Sequence, residues 1–339
     1  MRLAVDVMGG DHAPDAILDG CKQFLESDSF SDAELLLFGE EAALKRFAEE
    51  NTALMNRVHT VATTEVIGFD ESPTAAYKKK KDSSMVRAFE SVKAGEADCV
   101  VSAGSTGALL TGATLTLRRQ KGVKRPAIAT LLPTTTGGCV LLLDCGANTD
   151  CKPGYLQQFA IMGKAYMEKV TGIENPKIAL LSNGTEAEKG NALTKEAHER
   201  LSAMPDIQFV GNAEARELMS GNFDVLVCDG FDGNVLLKGF EGAAKVILGL
   251  LKESLYSSIR GKIGGLIAKP AFSTVRKKLD YKEYGGAPLL GVNGGVIKAH
   301  GSSDRRAIYN ALRQAHTWVK SDLVTAIGES ISNTEIAED

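Results

Sequence analysis

An excess of positive charge is missing from this sequence, and with it the footprint of a nucleic-acid binder. Lys and Arg number 39 against 43 Asp and Glu, for a net charge of −4, whereas chains that track a phosphate backbone are usually basic. No nucleic-acid partner is expected. Cys-x-x-Cys is missing as well. The six cysteines, at positions 21, 99, 139, 145, 151 and 228, have no His at ligand spacing, so no metal is expected. Cys99, Cys139, Cys145 and Cys228 lie in or beside apolar strand-like runs, where reduced thiols serve as small hydrophobes; a cytoplasmic setting follows. No apolar run reaches the ~18 residues of a membrane span. Arg2 leads at once into a strand that carries Asp6, so no signal peptide is expected and the chain reads as soluble. Neither Gly-x-Gly-x-x-Gly after a strand nor a Walker-type Gly-Lys-Ser/Thr occurs, which removes the usual signatures of dinucleotide and nucleoside triphosphate binding. No cofactor is expected.

What is present is a strand–helix alternation. Apolar runs of strand length recur at 3–8, 34–39, 58–63, 98–104, 127–133, 140–146, 177–183, 207–211 and 224–230, each ending in Gly, Asp, Asn, Ser or a neighbouring polar residue. Continuous runs such as Val140-Leu141-Leu142-Leu143 suit strands buried on both faces. Segments of helical period lie between most of them, including 83–97 and 186–203. The pattern predicts an α/β fold with a mainly parallel sheet. Residues 1–327 are expected to form a single catalytic α/β domain, followed by a polar, fraying tail at 328–339. From Asp232 to Leu279 the pattern changes to long helix. Ile247, Leu251, Leu255, Ile259 and Ile263 form one apolar ridge, resumed by Phe272, Val275 and Leu279, amid many Lys and Arg between Lys245 and Lys282. This amphipathic segment, about 240–282, is expected to protrude, to pair with its twin in a homodimer and to touch a membrane surface.

In a parallel sheet, ligands bind beyond the carboxyl ends of the strands, so the polar turns there are the candidates. Val5-Asp6-Val7-Met8-Gly9-Gly10-Asp11-His12-Ala13-Pro14 is a turn whose glycines let a ligand approach the backbone and whose N–H groups favour an anion. Ser102-Ala103-Gly104-Ser105-Thr106-Gly107 leads into a helix and offers a second anion cradle. Three further blocks are Asp144-Cys145-Gly146-Ala147-Asn148, Asn183-Gly184-Thr185-Glu186-Ala187-Glu188-Lys189-Gly190-Asn191 and Asp229-Gly230-Phe231-Asp232-Gly233-Asn234. The last is Lys298-Ala299-His300-Gly301-Ser302-Ser303-Asp304. Thr185 is the expected N-cap of the helix after its turn. All are expected at one edge of the sheet.

These blocks resemble the PlsX family, the bacterial phosphate acyltransferases of phospholipid synthesis, across roughly residues 3 to 305. Ser105 stands where the family commonly has Asn, and Cys145 where it has an aliphatic residue. The resemblance implies a three-layer α/β/α sandwich similar to the isocitrate and isopropylmalate dehydrogenase-like fold. It also implies transfer of an acyl chain from the thioester of acyl carrier protein to inorganic phosphate, giving acyl phosphate. Two alternatives stay open: a phosphate acetyltransferase using acetyl-CoA, and a non-catalytic scaffold for acyl carrier protein.

That chemistry needs a positive cradle, alignment and oxyanion donors, and no Ser-His-Asp triad. The candidate catalytic residues are His300, Lys189, Asn234 and Lys298. His300 either protonates the leaving thiolate or donates to the oxyanion, or else only fixes its loop. Lys189 or Lys298 offsets the charge of phosphate. The candidate phosphate- and substrate-binding residues are Asp6, Gly9, Gly10, Asp11, His12, Gly104, Ser105, Thr106, Gly107, Asp144, Asn148, Asn183, Gly184, Thr185, Glu186, Asp229, Gly230, Gly233, Ser302 and Ser303. The acidic ones are expected to orient donors or cap turns. Two basic runs, Lys78-Lys79-Lys80-Lys81 and 118–125, are either solvated faces or docking sites for the acidic carrier protein. The expected setting is cytoplasmic, at the membrane surface, beside a membrane glycerol-3-phosphate acyltransferase.

Overall fold

A computed structural model describes residues 1–279 and 285–334, with side chains outside 273–279. The first half of the chain contributes β1 (Arg2–Asp6), α1 (Asp15–Leu25), β2 (Glu34–Gly39), α2 (Glu41–Glu50), β3 (Val58–Ala62), α3 (Pro73–Lys79), α4 (Ser84–Lys93), β4 (Cys99–Ser102) and α5 (Thr106–Gly112). Then come β5 (Ala127–Pro133), β6 (Cys139–Leu143), α6 (Pro153–Tyr166), β7 (Lys177–Ser182), α7 (Ala192–Ser202), β8 (Gln208–Glu214) and β9 (Val225–Val227). The remainder is α8 (Gly230–Tyr256), α9 (Ile259–Leu279), β10 (Ala287–Leu290), β11 (Gly295–Lys298), α10 (Arg305–Lys320) and α11 (Leu323–Asn333).

Among the described residues eleven strands form one sheet, in the order β3-β2-β1-β4-β11-β10-β5-β6-β9-β7-β8. Alternate residues feed two separate cores. Leu3, Val5 and Leu141 join one with Phe159 of α6 and Ile308 of α10, while Ala4, Val100 and Leu142 join the other with Phe89 of α4 and Leu109 of α5. The sheet is therefore a middle layer covered on both faces, which is why its strands read as unbroken apolar runs. Each fully buried leucine such as Leu142 contributes roughly 1.5–3 kcal/mol.

The expectation of a single carboxyl edge is corrected by the topology. Both flanks are parallel, but β11–β10, β10–β5 and β5–β6 are antiparallel. Three reversals leave β6, β9, β7 and β8 running against β1, β4 and β11. Register brings the two sets of strand ends to the same height. Lys298 pairs Ala287, Leu289 pairs Ile128, and Ala129 pairs Leu143, so the ends of β11 and β6 lie about one residue step apart. The halves meet tip to tip at the sheet's centre.

Strands β10 and β11, absent from the predicted set, are four residues each and separated by a turn in which Gly291 and Gly294 adopt positive φ of 84° and 149°. Glycine density hid them. The long helix predicted over 232–279 is two helices packed on each other, broken at Ser257-Ser258, where the Ser258 hydroxyl accepts the Gly261 N–H at 3.0 Å. Their apolar residues face solvent: Ile259, Leu266 and Ile267 are each more than 70% exposed. The expectations for the side chains of Val275 and Leu279, and for residues 280–282, fall outside the described ones. Helix α11 continues to Asn333 and buries Ile327 and Ile331, so packing extends past the predicted start of the tail. Residues 335–339 lie outside the description.

Candidate active site

Where the two sets of strand ends meet, a cleft of ≈ 520 Å³ opens between α8 and the ends of β11 and β5. Asp11, Thr106, Asn234, Lys298, His300 and Ser303 line it, and all six belong to the predicted site. Lys238, Glu241, Thr130, Cys145 and Phe69 line it too. Basic groups from Lys298, Lys238 and His300 and apolar ones from Ile128, Leu131, Leu237 and Ala287 interleave in its lining, Ala287 being the cross-strand partner of Lys298.

The floor beneath the first strand ends is Asp6. It is buried and accepts hydrogen bonds from the Ser84 and Ser102 hydroxyls, both at 2.6 Å, tying β1 to β4 and α4. Burial raises its pKa, against the two hydroxyls and the Met8 and Gly9 N–H groups. Gly9 sits so close that a Cβ there would lie 2.4 Å from Asp6 Oδ2 and 2.7 Å from the Gly104 nitrogen. Gly10, at φ +117°, brings the Asp11 N–H to Gly301 O at 2.8 Å, which joins the β1 turn to the β11 turn. His12 is exposed and outside the cleft. Ser105 is the N-cap residue of α5, next to the cleft-lining Thr106, and Gly107 is needed because Pro73 packs on it.

Lys298 and His300 are held at the end of β11. The Lys298 ammonium donates to Ala299 O. Its pKa falls to about 8, chiefly through burial, with Lys238 adding to the depression and Asp6 and Asp11 opposing it. His300 Nδ1 accepts the Ser302 N–H at 3.2 Å, and the Ser302 hydroxyl lies 2.9 Å away. Nε2 lies 3.4 Å from Lys238 Nζ, which also binds Glu241 Oε2 at 2.8 Å. Burial and Lys238 lower the His300 pKa, so the ring is neutral at pH 7. Ser303 is 2% exposed, and its hydroxyl has no hydrogen-bond partner among the described residues although it borders the cleft.

The other half supplies a scaffold. Asp144, fully buried, accepts the Ile128, Ala147 and Asn148 backbone N–H groups and the Asn148 side-chain amide at 2.7–3.1 Å. Asn148 also donates to Pro126 O at 2.8 Å. Asp229 caps α8 by accepting the Asp232 N–H at 2.8 Å. Gly230 and Gly233 let α8 start hard against this knot: a Cβ at Gly233 would sit 2.0 Å from Asp144 O. Gly233→Ala is therefore expected to destabilise at the upper end of the roughly 1–3 kcal/mol range for overpacking, read as a lowered melting temperature. Placed by this start, Asn234 and, one turn on, Lys238 and Glu241 reach the cleft.

Lys189 and the Asn183, Gly184, Thr185 and Glu186 turn follow β7 and do not line the cleft. The helix after them begins at Ala192 with Asn191 as its cap, accepting the Thr194 N–H at 2.9 Å, so Thr185 is not the N-cap. The turn is instead closed on itself by Lys189 N–H to Glu186 O, and Glu186 O also takes the Asn212 amide. In the run 78–81, Lys80 is structural: it donates to Val66 O at 2.6 Å and to Glu71 at 2.5 Å. Among the described residues no cluster of His, Cys, Asp and Glu could hold a metal ion. Lys238, Glu241 and Phe69 escaped sequence reasoning; only the helical offset of four from Asn234 could have found the first of them.

The profile of a family described as "Fatty acid synthesis protein" matches residues 1–326. A phosphate acyltransferase of Clostridium perfringens strain SM101 is 48% identical over 332 residues, covering 98% of this chain and 97% of that protein. One of Staphylococcus aureus is 45% identical, covering 98% and 99%. Among solved structures, a branched-chain phosphotransacylase from Enterococcus faecalis superposes with a TM-score of 0.59 at 17% identity, covering 94% of this chain and 99% of that one. The EutD phosphotransacetylase from Staphylococcus aureus gives 0.56 at 17% identity, covering 96% and 94%. These two are similar in fold. Sequence identity over nearly the whole length carries the assignment: the chain belongs to the fatty acid synthesis protein family, the PlsX phosphate acyltransferases that its strand-end turns resemble.

Proposed function

We propose that this protein transfers an acyl group from the thioester of acyl carrier protein to inorganic phosphate, forming acyl phosphate for phospholipid synthesis. The observation that carries this reading is one cleft whose lining holds both basic groups, Lys298, Lys238 and His300, and apolar ones, Ile128, Leu131 and Leu237. Phosphate needs the first and an acyl chain the second. A phosphate oxygen attacks the thioester carbonyl, a tetrahedral oxyanion forms, and the thiolate departs as carrier thiol once protonated. The Asn234 amide and the Lys238 ammonium, which His300 Nε2 faces at 3.4 Å, are donors for the oxyanion. Lys298, with a pKa of about 8 close to the ~8.5 of a thiol, is placed as the acid that returns a proton to sulfur. The chain acts as one catalytic body over 1–327, and the finer likeness to the isocitrate dehydrogenase-like fold belongs to the same proposal.

Purified protein incubated with palmitoyl-acyl carrier protein should give phosphate-dependent acyl hydroxamate on trapping with hydroxylamine. Carrier binding without turnover would instead support the scaffold, and activity on acetyl-CoA alone the acetyltransferase.

The exposed apolar residues of α8 and α9, Val246, Ile247, Leu250, Ile259, Ile263, Leu266 and Ile267, suit a homodimer contact whose tip meets anionic lipid. No helix among the described residues is long and apolar enough to cross a membrane. Peripheral association next to a membrane glycerol-3-phosphate acyltransferase, within a cytoplasmic setting, completes the proposal. Changing Leu266 and Ile267 together to Asp is expected to reduce binding to anionic vesicles by about tenfold or more in co-sedimentation, with fold and turnover retained; unchanged binding would sink the membrane contact.

A further inference from the structure

Phe69 is a large aromatic half in solvent, 50% exposed, yet it lines the substrate cleft. Its ring rests on the Gly301 backbone, where a Cβ would come within 3.3 Å of Phe69 Cζ, one residue from His300. The loop that presents it is tied down on both sides. Asp82 accepts the Thr64 N–H at 3.0 Å and the Thr64 hydroxyl at 2.7 Å, and Glu65 accepts the Asp82 N–H at 3.0 Å. Past the tip, Glu71 accepts the Gly68 N–H at 2.7 Å and the Lys80 ammonium at 2.5 Å, while Lys80 also bonds Val66 O. Lys80 and Gly68 hold the Glu71 carboxyl below the usual range. Ile67, 7% exposed, anchors the loop from inside, and the alternation of Ile67 and Phe69 turns the phenyl outward.

Fixing an aromatic ring half in water has no benefit for folding alone, since the loop's hydrogen bonds and Ile67 already define it. Its value lies in what it covers. The other residues that line the cleft beside Lys298 and His300 are small, Ala287, Ala299, Gly301 and Ala307, so Phe69 is the large apolar side chain there, and its exposure sets it at the mouth. A thioester whose carbonyl lies at Lys298, with its hydrocarbon leaving through the mouth, brings the distal carbons of a long chain to this ring.

We propose that Phe69 is a specificity-determining residue that packs on the acyl chain at the cleft mouth, with Glu71 and Lys80 as its positioning pair. This rests on the acyl-transfer reading above. Phe69→Ala is expected to lower kcat/KM for a palmitoyl carrier thioester by about tenfold or more, the scale of a hydrophobic pocket's discrimination. Activity on the octanoyl thioester should change by less than about threefold. Phe69→Leu should recover most of the palmitoyl rate. Glu71→Gln, which loosens the clamp without touching substrate, should shift the long-to-short ratio in the same direction by a smaller factor. The ring is half exposed, so an unchanged melting temperature is expected for both Phe69 variants. Equal losses on both chain lengths, or an unaltered ratio in folded protein, would overturn the inference. If the wild-type protein forms no phosphate-dependent acyl phosphate from either thioester, the acyl-transfer reading itself fails, a result separable from an active enzyme with an indifferent Phe69.

Discussion

Lys298→Met is expected to lower kcat/KM for acyl phosphate formation by about 10²–10³, the scale found when one charged or hydrogen-bonding donor to a developing anion is removed. Methionine keeps the length and apolar stem of lysine, so the loss reads the ammonium and not the packing. The pH profile separates this role from mere charge balance. Lys298 titrates near 8 because burial disfavours its charged form and Lys238 adds a like charge, which Asp6 and Asp11 offset only in part. The wild-type rate in free enzyme should therefore fall as pH rises through about 8, when the ammonium is lost. An anion in the cleft favours the charged form and moves the falling limb of kcat to higher pH than that of kcat/KM. In Lys298→Met the limb near 8 should vanish. A linkage effect runs alongside. The folded pKa lies below the unfolded ~10.4, so the folded chain binds fewer protons between those values and stability from this group grows as pH rises through about 8. Activity and stability then move in opposite directions over the same window, and a simple unfolding artefact cannot produce both.

The parts of this site that were legible in sequence are those whose chemistry is local. A turn of Gly9, Gly10 and Asp11, or of Lys298, His300 and Ser303, announces itself because glycine and a polar cluster after an apolar strand have few other uses. The strand–helix alternation was legible for the same reason, because burial on both sheet faces demands continuous apolar runs. Tertiary consequences were not. Nothing in the order of the turns tells that three antiparallel steps reverse the second half, so the Lys189 turn and the Lys298 turn were placed on one edge when they face opposite ways. Lys238 and Glu241 sit in the middle of a 27-residue helix whose period marks an apolar face without telling which polar residue reaches the cleft. Phe69 looks like an ordinary loop aromatic until Gly301 is found beneath it. Asp144 was legible as a strand-end acid; that it accepts four N–H groups from two segments depends on the fold around it.

Asp144→Ala is expected to cost the most stability of any single change outside the apolar core. The carboxylate, itself without exposed surface, is the acceptor for the buried Ile128 N–H and for the part-buried Ala147 and Asn148 N–H groups and Asn148 amide. Removing it strands the buried Ile128 donor at about 1–3 kcal/mol and leaves the part-buried donors, of which the Asn148 amide keeps Pro126 O, at a smaller cost, so a total loss of about 2–5 kcal/mol is expected, a large share of the 5–15 kcal/mol that holds a typical domain. The α8 start, wedged by Gly233 against Asp144 O, should loosen with it, so Asn234 and Lys238 lose their position and turnover falls further than stability alone dictates. Asp144→Asn keeps one acceptor but points an NH₂ group at donors, and should fall between wild type and Ala. The pH dependence carries a distinct sign. Burial raises the Asp144 pKa to about 6 in the fold despite its N–H partners, against ~3.9 unfolded. The folded chain therefore holds the proton more tightly, and this group's contribution to stability rises as pH falls from about 6 to about 4, then levels off. Chemical unfolding of wild type and Asp144→Asn across pH 4 to 7 isolates that slope, because the amide cannot titrate. Parallel curves would show that the four N–H groups fully offset the cost of burying the charge.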